Sequence, residues 1–284
     1  MGIRKGSAMF EKFSRSWELV KASAAVLRSD KELMVFPIVS AAATLVVLAT
    51  FMVPMLGWRI FQHGFGATGL VWMFLFYFCQ YTVIIFFNCA LVGAAMIRLE
   101  GGDPTLADGI NAAKARLPAI LGYAAIAATV GMLLQALRNK ENNFLVRMLG
   151  SGLGAAWTLA TFLIAPVLVS EEIGPVEALK KSAGLLRHTW GENAIGNVGI
   201  GLAFSLIMIG VGLVGALIAF VAAQLSIGLA VAIVIVFVIA LLLLGVYQAA
   251  LSGIYSAALY RYATQGETPP EFQSLRLEQA FATK

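Results

Sequence analysis

Six long apolar stretches, set apart by short polar punctuation, dominate the chain. They run roughly over Leu33–Gly57, Gly69–Ile97, Pro118–Leu137, Ser151–Ser170, Ile195–Phe220 and Ile227–Tyr260. Each is long enough, as a helix, to cross about 30 Å of hydrocarbon. Only Val221–Ser226 separates the last two, which predicts a tight hairpin. A buried re-entrant segment in place of one full span is the alternative.

The polar intervals carry a second pattern. Phe10, Phe13, Trp17, Val20, Ala24 and Leu27 recur at three- and four-residue steps, while Lys12, Arg15, Lys21 and Arg28 fall outside that stripe. This predicts an amphipathic helix resting in the headgroup plane. The alternative is a helix packed on the ends of the spans. Ser29 and Glu32 have the spacing of a capping box leading into the first span. The segment Glu18–Arg28 has a near copy in Glu177–Arg187, and each stands just before an apolar run. A weaker copy, Ala107–Arg116, precedes the third span. There Gly101 and Gly102 predict a helix end, Asp103 an N-cap and Pro104 a first helical residue. Gly174 and Pro175 repeat the arrangement, and Gly266, Pro269 and Pro270 echo it before a tail with Phe272, Leu275 and Phe281.

The whole chain, 1–284, is therefore expected to be a single integral membrane domain. It reads as a threefold tandem repeat of an interfacial helix followed by a transmembrane hairpin, over about 9–100, 101–171 and 172–262, with 263–284 as a tail. The fold class expected is all-α: a polytopic bundle of six transmembrane spans plus amphipathic helices at the cytoplasmic interface.

Charge gives the orientation. Sixteen lysines and arginines lie in the N-terminal segment, the two even-numbered loops and the tail, against four in the intervening loops. The positive-inside rule then places both termini in the cytoplasm. Residues 137–150 dissent, pairing Arg138, Lys140 and Arg147 with Phe144, Leu145, Met148 and Leu149, and predict a short helix on the outer interface.

Composition agrees with a membrane protein. Hydrophobic residues make up 60% and charged residues 12%, where a soluble domain carries about 25% charged. The net charge of +5 suits anionic headgroups. No basic block interleaved with aromatics supports a nucleic-acid partner. Cys79 and Cys89 lie about 15 Å apart along one helix, beyond disulfide reach, and have no metal-ligand spacing.

The chemistry is sparse. No span has an ionisable residue in its interior, which disfavours proton relays and voltage sensing. Neutral polar residues, among them Gln80, Asn88 and Gln248, read as interhelical hydrogen bonders or as the lining of a solute path. Gly245, Ala249, Gly253 and Ala257 recur every fourth position and predict close helix packing. The second span is bulky all round, with Trp72, Phe74, Phe76, Phe78, Tyr81, Phe86 and Phe87, and is expected to face lipid or seal the outside of the bundle. Pro54 and Pro166 predict kinks or a hinge. Glu171 and Glu172, with Asp103 or Asp108, are an acidic group most simply read as solvated. His63 and His188 fall on opposite sides. Neither a metal site nor a cofactor motif is present, and no enzymatic activity is expected.

Arg28, Arg116 and Arg187 each end a lead-in helix beside the start of a span, where a guanidinium can hold lipid phosphate or serve as a general anchor. Membrane phospholipids are the expected partners, with a second copy of the chain or another membrane protein as further candidates. A non-enzymatic protein that binds lipids or supports the envelope is the first functional reading. A transporter or channel for a small solute or lipid is the second.

The front of the chain, in Ser16-Trp17, Lys21-Ala22-Ser23, Val26-Leu27-Arg28, Asp30-Lys31-Glu32-Leu33 and Val35-Phe36-Pro37, and its back, in Ala258-Leu259-Tyr260-Arg261-Tyr262-Ala263, carry a resemblance. They resemble an uncharacterised, domain-of-unknown-function family of bacterial six-span integral membrane proteins. The resemblance covers the chain from Met9 onward, which makes Met9 an alternative initiator. It implies a multi-pass protein of the bacterial cytoplasmic (inner) membrane and supplies no catalytic residues.

Overall fold

In the computed structural model, residues 17–57, 66–138, 144–190, 199–266, 270 and 272 are described, and nearly all are helical. No strand occurs among them. A helix over residues 17–29 (α1) leads through a 3-10 turn, Lys31–Met34, into α2 (Val35–Gly57) and α3 (Ala67–Leu99). Then come α4 (Leu106–Ala115), α5 (Leu117–Arg138), α6 (Phe144–Ala160) and α7 (Ile164–Ser170). The chain closes with α8 (Pro175–Trp190), α9 (Gly199–Ala223) and α10 (Ile227–Gln265). Six stretches are long and apolar enough to cross a membrane, α6 and α7 together supplying the fourth. The molecule is a membrane-spanning helical bundle.

Local chemistry sets the corners. α3 ends where Gly101 takes φ +85° and the N–H of Gly102 donates to the Ile97 carbonyl (3.0 Å). That bond and the one from Gly101 N–H to Arg98 O form a Schellman turn. The cap of α4 is Thr105 rather than Asp103. Its hydroxyl accepts from the Asp108 N–H (3.3 Å), while Asp108 accepts from the Thr105 N–H (2.9 Å). Asp103 lies two residues too early for this box and pairs with Arg98 (3.6 Å). Before the 3-10 turn, Asp30 rather than Ser29 caps, accepting from the Glu32 N–H (3.1 Å). Glu32 instead reaches across to accept from Leu106 N–H (3.2 Å), so a residue just ahead of α2 caps the start of α4.

The hydrophobic core lies toward one end of the bundle. Residues 89–95 of α3 and 253–260 of α10 are buried throughout, alongside Leu163–Leu168 around the start of α7. α1 enters this core, with Val20, Ala24, Val26 and Leu27 all buried. The helix is thus packed against the spans rather than resting on their surface. Phe10 and Phe13 of its expected stripe lie outside the described residues. α3 is the hub, touching α2, α4, α5, α7 and α10. The expectation that the second span faces lipid or seals the bundle fits only its first half, where Leu70, Val71 and Leu75 are exposed; residues 89–95 are buried inside the hub. That stretch, Cys89-Ala90-Leu91-Val92-Gly93-Ala94-Ala95, is mostly small residues and is buried throughout.

The opposite end is open. α9 packs on α10, and Leu213, Phe220, Leu225, Ile227 and Leu243 are exposed. In a membrane-spanning bundle such surface faces lipid. The outer-interface helix expected over 137–150 is absent as a separate element: Phe144, Leu145, Met148 and Leu149 belong to the first turns of α6. Residues 139–143 lie outside the described residues, as do His63, Pro269 and the tail from 273.

Candidate functional site

The three arginines do not form one set. Arg28 and Arg187 are exposed, on α1 and α8. Arg116, the single non-helical residue between α4 and α5, pairs with Glu172 (3.1 Å). The acidic pair after α7 is a fastener between elements. Glu171 accepts from the Tyr260 hydroxyl of α10 (2.7 Å) and pairs with Lys181 of α8 (2.6 Å). Only 18% of the Glu171 side chain is exposed, which removes it from the solvated reading. Asp108 sits apart in its cap, and its hydrogen bonds from the side chain and backbone of Thr105 hold its carboxyl below the ordinary 3.8. No group of three His, Cys, Asp or Glu able to hold a metal occurs among the described residues. The side chain of His188 lies outside them.

The fourth span is interrupted. Residues 161–163 form a turn between α6 and α7. The break precedes Pro166, which has no N–H to continue a helix. Two backbone groups released by the turn are met by one side chain: Ser182 of α8, fully buried, donates to the Ala160 carbonyl (2.7 Å) and accepts from the Leu163 N–H (3.2 Å). Non-helical backbone at membrane depth persists only where protein buries it or a cavity adjoins it. Both hold here.

Beside the break is a cavity of about 450 Å³ bounded by α2, α3, α5, α6, α7 and α10. Its aromatic wall includes Tyr81, Phe87, Tyr123, Trp157 and Phe162; Tyr123 and Trp157 are stacked, with centroids 6.5 Å apart. Its polar groups come from Ser40, Asn88, Thr158, Thr161, Ser252 and Ser256, and from the phenols of Tyr81 and Tyr123 in the aromatic wall. No charged side chain lines it. Ile84, Thr158 and Ala249, all within apolar spans, are exposed at its margin. Along α10, Ser256 and Ala249 lie about 14 and 24 Å from the C-terminal residue. The cavity thus begins where the packed end of the bundle gives way to the open one.

The small-residue stripe of α10 meets this place. A Cβ at Gly253 would run into the side chain of Leu91 and come 3.4 Å from Asn88 Oδ1. Ala257 is fully buried, Gly245 lies toward Met208 of α9, and Ala249 lines the cavity. Of the three polar residues picked out as a path, Asn88 lines the cavity, and Gln80 and Gln248 do not. Ser252, Ser256 and Thr161 carried no distinguishing signal as a set, because they converge from three-dimensional packing. Cys79 and Cys89 are both free, and buried Cys89 lies 3.9 Å from the Ala165 carbonyl.

A family model described as "Family of unknown function (DUF6159)" matches residues 67–270. No curated protein and no solved structure matches.

Proposed function

This chain belongs to the DUF6159 family of unknown function, and from that premise we propose that it is a non-enzymatic membrane protein that binds lipid. The observation that carries this reading is the 450 Å³ cavity, with an aromatic wall, a few convergent polar groups and a margin exposed within apolar spans. Its volume falls within the range of about 300–1,000 Å³ typical of small-ligand sites. A lipid can enter such a margin laterally without passing through water. Arg28 and Arg187 have exposed guanidiniums available for anionic headgroups, a surface contribution separate from the cavity. Arg116 contributes less, since Glu172 already holds it.

The test is lipid mass spectrometry on the purified protein and two variants. Ala249→Leu, which narrows the cavity margin, should deplete one co-purifying lipid class. Arg28→Gln with Arg187→Gln should lower total anionic lipid while retaining that class. Lipid profiles matching bulk solubilised membrane, unchanged by Ala249→Leu, would refute cavity binding.

A second reading, transport of a small solute or lipid, draws on the interrupted fourth span. Broken helices beside a binding site are a recurring feature of transporters. An aqueous solute path would make a cysteine at position 88 reactive from water.

A further inference from the structure

We infer that the cavity takes an uncharged amphiphilic alcohol, of the glyceride or polyprenol kind, with its hydroxyl among Asn88, Ser252 and Ser256 and its chain leaving past Ile84 and Ala249. This rests on the lipid-binding reading above and narrows it to one chemical class.

Charge is the first selector. The lining contains no Lys, Arg, His, Asp or Glu. A phosphate placed there would lose its hydration without a countercharge, a severe penalty in apolar surroundings. The ligand head is therefore neutral.

Hydrogen-bond polarity is the second. A serine or threonine hydroxyl has one donor and two acceptor lone pairs. Three lining hydroxyls have already committed the donor to backbone: Ser256 to Gly253 O (2.8 Å), Thr158 to Gly154 O (2.9 Å) and Thr161 to Trp157 O (2.9 Å). What these three still offer is acceptor capacity, which needs a ligand O–H, while the hydroxyls of Ser40 and Tyr81 on the same lining are donors for a ligand oxygen; an alcohol meets both needs, and a ketone or ether only the second. The Asn88 amide and the Ser252 hydroxyl make no hydrogen bond to other described residues, so they can complete the shell as donor and acceptor together.

Shape is the third. The space suits a polar head and the first part of a chain. The apolar residues Ile84 and Ala249 at the exposed margin let the remaining chain continue along the lipid-facing surface of α3 and α10.

Trp157 lines the cavity and serves as the reporter. The full-length protein, with its other four tryptophans changed to phenylalanine, is placed in phosphatidylcholine nanodiscs. Its fluorescence is titrated with a chain-brominated diacylglycerol, the methyl ether of that compound, and a phosphatidylglycerol bearing the same chains. Saturable quenching by the diacylglycerol is expected, with the ether about tenfold weaker, as for a hydrogen bond left unmade in a dry site. Asn88→Leu should weaken the diacylglycerol similarly. If that variant does not fold, Ala249→Leu must remove the saturable component.

Unlabelled dioleoylglycerol and undecaprenol are then used as competitors. The one effective at lower amount identifies the source, and failure of both overturns the inference. Equal quenching by the ether, stronger quenching by the phosphatidylglycerol, or strictly non-saturable quenching also overturns it. Retention of an anionic phospholipid that Ala249→Leu abolishes, without saturable diacylglycerol quenching, would leave lipid binding standing and remove the alcohol.

Discussion

Ser182 shows how much one side chain settles in this bundle. It is fully buried and satisfies both a carbonyl and an N–H at the break in the fourth span. Removing the hydroxyl leaves two polar backbone groups with no substitute partner from that position. Ser182→Ala should therefore destabilise the protein by about 1–3 kcal/mol, read as a lower thermal midpoint in detergent. Ser182→Cys, a weak donor of similar size, should fall between wild type and alanine. An unchanged midpoint in Ser182→Ala would mean that the turn at 161–163 finds its partners elsewhere. The sequence marked Ser182 only as part of the echo between Glu18–Arg28 and Glu177–Arg187. Its role was illegible because its partners lie 19 and 22 residues away, across a turn that no periodicity foretells. The caps show the same limit at shorter range. Asp103 and Ser29 have the right chemistry for N-caps, yet Thr105 and Asp30 hold the right geometry.

Among the elements, the α3–α4 crossing depends on glycine. A Cβ at Gly109 would lie 2.6 Å from the Ala90 carbonyl oxygen, and one at Gly93 would lie 2.7 Å from Ala112 Cβ. Backbone cannot yield as a flexible side-chain tip can, so α4 would have to move off α3. Gly109→Ala should cost about 1–3 kcal/mol as overpacking. Gly152→Ala, where nothing lies within 4 Å of the added carbon, should leave the thermal midpoint unchanged or raise it, as expected for alanine over glycine in a helix. Equal effects from the two substitutions would rule out close approach as the cause. The stripe Gly245, Ala249, Gly253 and Ala257 announced a contact surface on α10 in the sequence, but its division between α9, the cavity and α3 depended on the neighbours. The aromatic half of α3 was open to two readings for a related reason. Large residues in a span can face lipid or pack on other rings, and here Phe51 meets both Trp72 (5.0 Å) and Phe76 (5.6 Å).

The whole molecule is asymmetric along its long axis. α10 has 39 residues, about 58 Å of helix against about 30 Å of hydrocarbon. Its last part is buried among α2, α3, α7 and α8, and its first part packs with α9 and is otherwise largely exposed. The cavity sits at the change from one regime to the other. That placement separates the two functional readings. With Cys79→Ala and Cys89→Ala as background, Asn88→Cys should react with a lipophilic maleimide and resist a small, charged, membrane-impermeant thiol reagent. Reaction with the charged reagent would favour a water-filled solute path over a lipid site. Gln80→Cys and Gln248→Cys, outside the cavity lining, should differ from position 88 with the lipophilic reagent.

Sequence alone determined the class of molecule. In lipid only helices and closed barrels satisfy the backbone, and unbroken apolar runs of about 20 residues or more, without the alternation of barrel strands, select helices; six such stretches are able to span. The helix ends at Gly101 and Gly266 were equally legible, because a positive φ there favours glycine. Tertiary structure decided what those helices enclose. The burial of α1, the pairing of Arg116 with Glu172 and the convergence of Asn88, Thr161, Ser252 and Ser256 all depend on contacts between distant segments, whereas the break in the fourth span was already signalled by Pro166. Each polar residue by itself is compatible with a packed interface or an open space. Only the relative placement of α2, α3, α5, α6, α7 and α10 makes those residues the lining of a cavity.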